Sequence, residues 1–334
     1  MAKTLAEIRA KLQAQDFRSN NGKKQQSDTA VYPHWNIAEG TTARVRFLPD
    51  GNPGNDFFWV ERAMIKLPFA GIKGQADSKP VVVQVPCVEM WGQACPVLAE
   101  VRTWFKSNDA SLEELGRKYW KKKSYLFQGF VHDNPLSDDK TPENPIRRFI
   151  IGAQIFNLVK NGLVDPDMEN SPTDYESGLD FNIKKTSKGG YADYTTSTWS
   201  RKESALSSEE AEAIEKFGLY NLSDFLPKQP SSEDVAIIKE MFEASVDGQP
   251  YDAERWGNHY KPPGLGGKGA TGDETPVTRA AAPAAAAAAP TMSVVQPWEE
   301  DAAEAAEAPV VAPAAKPSSQ RAEDILAMIR AKKQ

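Results

Sequence analysis

Only two cysteines and three histidines occur in 334 residues. That shortage excludes a disulfide framework and leads us to expect a reducing compartment. His34, His132 and His259 stand isolated and make no nucleophile constellation with Cys87 or Cys95. Neither a GxxxxGK[ST] phosphate loop nor an HExxH pair is present. No run of about eighteen apolar residues exists, and the first fifteen residues lack the apolar stretch of a secretion signal. The expectation is a soluble chain that is not an enzyme. A divalent-metal nuclease hidden among the 46 acidic residues is the catalytic alternative.

What is present is unevenly distributed. Residues 257–320 are dominated by Gly, Pro, Ala and acidic side chains, with an alanine run at 280–289 broken by Pro283. Such a segment buries too little apolar surface to offset the entropy of ordering it. The sequence therefore divides into an N-terminal amphipathic helix and linker (1–28), a foldable core (29–256), a disordered linker (257–320) and a C-terminal amphipathic helix (321–334).

Within the core, ARVRFLPDG alternates Val45 and Phe47 against Arg44 and Arg46 and stops at Pro49, as a strand ending in a turn should. Strands are expected also at 57–67, 80–86, 124–132 and 146–152. Helices are expected after Pro96, from Ser111 as a cap with Glu114 three residues on, at 154–161, and as acidic surface helices at 208–217 and 233–246. Gly189-Gly190 joins two alternating runs, a hairpin signal. Irregular β-structure with inserted helices, lacking strand-helix alternation, indicates a mainly antiparallel α+β fold rather than a parallel sheet.

The chain carries a formal net charge of −6, yet YWKKKSYLF sets Lys121, Lys122 and Lys123 between Tyr119 and Trp120 on one side and Tyr125 and Phe127 on the other. A buried strand cannot hold three successive lysines, because neighbouring side chains point to opposite faces. A second segment repeats the chemistry: Phe181, Lys184, Lys185, Lys188, Tyr191, Tyr194 and Trp199, with Asp193 the only acid between Phe181 and Lys202. Cations interleaved with rings suit unpaired nucleic acid, where lysines neutralise phosphates and rings stack on bases. The plainer alternative is a solvated strand entrance with its rings in the core.

RFLP at 46–49, Cys95-Pro96, KKKSY at 121–125 and GLDF…GGYADY at 178–194 occur in one particular order. Over residues 30–200 that order resembles the helix-destabilising, single-stranded DNA-binding proteins of T-even-type phages. The resemblance implies an antiparallel oligonucleotide-binding (OB) barrel with helical insertions. It further implies a sequence-nonspecific, cooperative coat on single-stranded DNA during phage replication, recombination and repair, in the cytoplasm of a bacterial host. By resemblance, Lys121, Lys122, Lys123 and Ser124 match the family's basic-plus-hydroxyl motif, Tyr125, Phe181 and Tyr194 its aromatics near DNA, and Arg46 a basic strand residue. Local chemistry adds Tyr119, Trp120, Phe127, Lys184, Lys185 and Tyr191. An RNA-binding or strand-annealing protein of similar barrel fold is the alternative within this class.

The family's T-even member holds zinc through one His and three Cys. Here Cys87 and Cys95 are a residual pair, short of the four ligands that structural zinc takes. No cofactor is expected, and the two thiols should behave as small apolar groups. In the family a basic N-terminal segment docks on the next subunit; Lys3, Thr4, Arg9 and Lys11 occupy that place here, beside Leu5, Ile8 and Leu12. The C-terminal segment AEDILAMIRAKKQ is expected to recruit replication and recombination proteins.

Overall fold

A computed structural model of the chain describes residues 29–75, 78–107, 109–137 and 142–263. Nine strands are present among them: β1 (Thr42–Leu48), β2 (Trp59–Phe69), β3 (Val81–Pro86), β4 (Lys122–Asp133), β5 (Arg147–Gly152), β6 (Asp180–Lys184), β7 (Thr186–Lys188), β8 (Tyr191–Asp193) and β9 (Thr198–Trp199). Seven form one antiparallel sheet in the order β3-β2-β4-β1-β6-β9, with β5 branching from β4. Strands β7 and β8 form a separate two-stranded hairpin.

Strand β4 is the spine. Its first half, Lys122 to Phe127, pairs with β2, and its second half, Gln128 to Asp133, pairs with β1. Residues Ser124 to Gly129 pair with β5 at the same time, so β1 and β2 must lie end to end on the opposite edge. The sheet therefore forks at β4. Among the described residues β5 and β9 are not hydrogen-bonded to each other, so strand pairing does not close a barrel. Helix α3, described below, packs instead against β4, β5 and β9. No helix among the described residues is long and apolar enough to cross a membrane.

Among the described residues six α-helices accompany the sheet: α1 (Pro96–Phe105), α2 (Ala110–Tyr119), α3 (Ala153–Leu163), α4 (Ser208–Phe217), α5 (Ser232–Val246) and α6 (Ala253–Trp256). Their caps follow from sequence. Ser207 with Glu210 and Ser231 with Asp234 make reciprocal capping boxes at α4 and α5. Helix α2 is capped by Asp109, whose carboxylate accepts from Ser111 and Leu112 backbone N–H groups, and not by Ser111 as expected. Asp109 precedes the helix and accepts two orphan donors where the Ser111 hydroxyl would satisfy one.

Two main apolar cores result. The first gathers Phe47, Phe127, Phe149 and Phe181, all fully buried, under α3. Centroids of Phe47 and Phe127 lie 4.7 Å apart, and Phe149 meets Phe47 edge-on at 5.7 Å. The second core lies between the far half of β2, β3 and helices α1, α2 and α5. Helix α5 was expected at the surface; it buries Ile238, Met241, Phe242 and Ser245, an apolar stripe at helical spacing that its many acids obscure.

Cys87 and Cys95 lie in this second core, both buried and both free. The hydrogen bond to Cys95, with burial, pushes the Cys87 thiol up, away from the thiolate. Among the described residues no group of three or more His, Cys, Asp or Glu is placed to hold a metal ion. Cys87 and Cys95 supply two sulfur atoms, short of the four ligands a structural zinc site takes.

Candidate functional site

Gly189 and Gly190 both have positive φ, 61° and 82°, which matches the two-residue turn that joins strands of right-handed twist. The turn sets Lys188 directly opposite Tyr191 across β7 and β8. Tyr191 is 74% exposed, the highest exposure among the chain's described aromatic rings. Lys188 is exposed as well and makes no ion pair among the described residues.

The hairpin is anchored at its base. Gln154, in the first turn of α3, donates to Asp193 Oδ1 at 2.7 Å and accepts from the Tyr194 backbone N–H at 2.9 Å. Thr186 and Thr195 hydroxyls also donate to Asp193, and these bonds, led by Thr195, hold its carboxyl below the usual range. Tyr194 is half-buried, and burial alone raises its phenol to about 12. Its ring leans on His34 at 5.9 Å. Lys185 donates to the Trp35 carbonyl at 2.6 Å, which ties the neighbouring strand down. Lys184 makes no ion pair among the described residues.

The start of α3 also meets the lysine run. Its N-cap residue, Gly152, pairs with Ser124 on β4. Gly152 offers no side chain to the first N–H groups of that helix. Lys121, Lys122 and Lys123 are all half-buried. Lys121 lies 3.3 Å from Glu89 and 5.9 Å above the Trp120 ring. Lys122 donates to the Arg117 carbonyl, and Lys123 lies 3.8 Å from Glu61. Ser124 accepts from Arg62 at 3.2 Å. Ser124 is thus linked to the hairpin base through Gly152 and Gln154, while acidic neighbours offset part of the lysine charge.

Five rings expected near a bound strand are core residues instead. Tyr119 is 2% exposed and bonded to Ser245; Trp120 is 3% exposed and packs edge-on against Phe105. Tyr125 is 7% exposed and stacks on Phe156 with planes 8° apart. Phe127 and Phe181 have no exposed surface. Alternation explains this: Tyr125, Phe127 and Phe181 occupy the strand faces that line the first core, where burying each ring is worth about 1.5–3 kcal/mol. None of the five offers a face to a base.

Arg46 is corrected in the same way. Its side chain is fully buried, and its Nε donates to Asp180 Oδ1 at 2.8 Å. Its terminal nitrogens donate to the carbonyl and hydroxyl of Ser204. Asp180 also faces His132, whose other ring nitrogen lies 2.7 Å from Glu210 on α4. Hydrogen bonds to Asp180 and Glu210 raise His132 to about 9. Burial pushes the Asp180 carboxyl up, but His132 and Arg46 more than offset this and leave it below its ordinary value. Arg46 is a fastener between sheet, loop and helix.

A ring pair escaped the sequence reading. Phe57 is 58% exposed and its centroid lies 4.7 Å from that of Trp59, with planes 31° apart. Trp59 in turn packs edge-on against Phe156 of α3. Phe57 was expected inside a strand, yet β2 begins only at Trp59. The turn-rich GNPGND just before it was the available signal. Lys3, Thr4, Arg9 and Lys11, and the C-terminal segment, lie outside the described residues.

No protein-family model matches this chain, and no curated protein sequence matches it.

Proposed function

We propose that this chain binds unpaired nucleic acid, single-stranded DNA first, as a stoichiometric coat without catalysis. The observation that carries the reading is the pairing of a solvent-facing ring, Tyr191, with Lys188, an exposed cation with no ion pair among the described residues, at the tip of an anchored hairpin. A free π-face beside a free ammonium suits a base and its phosphate, whatever the sequence, and the stacking is worth about 1–3 kcal/mol per base. Phe57 and Trp59 supply a second platform, and the first turn of α3 lies between the two through Gln154 and Phe156.

The forked sheet, with α3 across the gap between β5 and β9, is read here as an OB-type barrel. The colinear motifs that resemble the T-even-type phage proteins support the same reading. On that basis the protein belongs to phage replication, recombination and repair in a bacterial cytoplasm. Lys3, Thr4, Arg9 and Lys11 are assigned to cooperative self-association, and the C-terminal segment to recruiting replication proteins.

Anisotropy titrations of labelled dT, rU and duplex oligonucleotides of equal length test the proposal. The reading expects dT to bind most tightly and duplex most weakly. Equal affinity for duplex, or none for dT, contradicts it. Preference for rU selects the RNA alternative, and shortening of the labelled strands in Mg²⁺ selects the nuclease.

A further inference from the structure

Across β1, β6 and β9, Arg44 pairs with Asn182 and Asn182 with Thr198. These three side chains form one row on the sheet face opposite the first aromatic core. Arg46 and Asp180 make the next row on that face. The segment after β9 continues antiparallel beside β6, held by the Ser200 N–H on the Asp180 carbonyl and the Ser204 N–H on the Gly178 carbonyl, and Ser204 meets Arg46 on this floor. An open cleft of about 540 Å³ is left between floor and segment. Arg44, Arg201 and Lys202 bring three cations to it.

The cleft's acid is already committed. Asp180 accepts from Arg46 and lies 3.0 Å from His132, and both of its oxygens are engaged. Glu203, between the cations and Ser204 in sequence, turns away to accept from Asn170. Arg44 stays 43% exposed although Asp133 lies 3.0 Å and Asp180 3.6 Å from its Nε. Arg201 and Lys202 are exposed and make no ion pair among the described residues. Arg201 and Lys202, beside the paired but part-exposed Arg44 and with Asn182, Thr198 and Ser200 as neutral hydrogen-bonding neighbours, therefore give the cleft a net positive charge. That combination suits a phosphate-type oxyanion.

One further cation links the cleft to the hairpin. Lys184 is two residues beyond Asn182 on β6, hence on the same face and about 7 Å farther along the strand. Beyond it β7 and β8 lead to Lys188 and Tyr191. The positive charges thus run from Arg201 and Lys202 past Arg44 and Lys184 to the hairpin tip. We propose that the Arg44–Arg201–Lys202 cleft is a phosphodiester subsite that holds the backbone of a bound strand beyond the hairpin. This rests on the nucleic-acid reading, but its chemistry is testable separately.

The variant is Arg201→Ala with Lys202→Ala, both surface changes that leave the Arg46–Asp180 fastener intact. The first readout is inorganic pyrophosphate in thermal melts. Wild type should gain stability and the double variant should lose most of that gain; equal shifts, or none, overturn the subsite even if oligonucleotides bind. The second readout is a length series of dT oligonucleotides. Strands long enough to reach the cleft should bind the variant roughly ten-fold more weakly, with the log-log salt slope smaller by about 1.4, or 0.7 for each lost phosphate contact. Very short strands should bind both proteins alike. A pyrophosphate effect without any change on long strands overturns the phosphodiester assignment in favour of a free-phosphate site. Failure of wild type to bind any oligonucleotide overturns it together with the underlying reading.

Discussion

Arg46 on β1 and Asp180 on β6 face each other in register, Nε to Oδ1 at 2.8 Å, with 0% and 7% of their side chains exposed. Removing the arginine leaves a buried carboxylate with His132 as its remaining hydrogen-bonded cation. Arg46→Ala should therefore cost about 3–5 kcal/mol, whereas Arg44→Ala, at a half-exposed pair, should cost under about 1 kcal/mol. Urea unfolding of the two variants checks this, and equal midpoints would refute the assignment of Arg46 as a structural fastener.

His132 makes the same region sensitive to pH. Hydrogen bonds to Asp180 and Glu210 raise it to about 9 in the folded chain, against about 6.5 when unfolded. A raised value means that the folded state holds the proton more tightly, so the stabilisation is complete below about pH 6.5 and disappears as pH rises through about 9. After allowance for solvent screening it amounts to about 1 kcal/mol. Wild-type melting should fall across that window by about 2–4 °C. His132→Gln should flatten this part of the profile.

Rings in the core and rings at the surface should separate stability from binding. Phe127→Ala opens a cavity at a fully buried site and should cost about 3–5 kcal/mol of stability. Tyr191→Ala removes an exposed ring and should leave the melting point unchanged while weakening dT binding by about 1–3 kcal/mol. Circular dichroism melts beside anisotropy titrations measure both. A Tyr191→Ala variant with native affinity would remove the hairpin from the site.

The contrast between those rings marks how far the sequence is legible. Alternation in ARVRFL correctly put Val45 and Phe47 on one face and both arginines on the other. It said nothing of what covers that other face, and the segment carrying Asp180 and Ser204, 134 and 158 residues away, decided that Arg46 is buried while Arg44 is not. Gly189-Gly190 announced a hairpin because the turn is a local backbone event. The lysines of 121–123 looked like open charge, yet Glu89 and Glu61, distant in sequence, meet two of them. Local periodicity was readable; burial and charge pairing were not, because both depend on contacts of long sequence separation.

The two thiols provide a check on the second core. Cys87 and Cys95 are 0% and 2% exposed, and two sulfur atoms alone do not make a structural zinc site. Prolonged treatment with a strong chelator should leave the melting point unchanged. Alkylation should proceed only under unfolding conditions. A chelator-induced drop of several degrees would show that a metal contributes to this core.

The most direct test of the central claim is photo-crosslinking of an oligo(dT) strand carrying 5-iododeoxyuridine, followed by peptide mapping, since that base couples efficiently to a ring stacked on it. Crosslinks are expected at Tyr191 and at Phe57 or Trp59, with none at Tyr119, Trp120, Phe127 or Phe181. Crosslinks confined to those four buried rings, or bound strand that crosslinks nowhere on the hairpin or the Phe57–Trp59 platform, would contradict it.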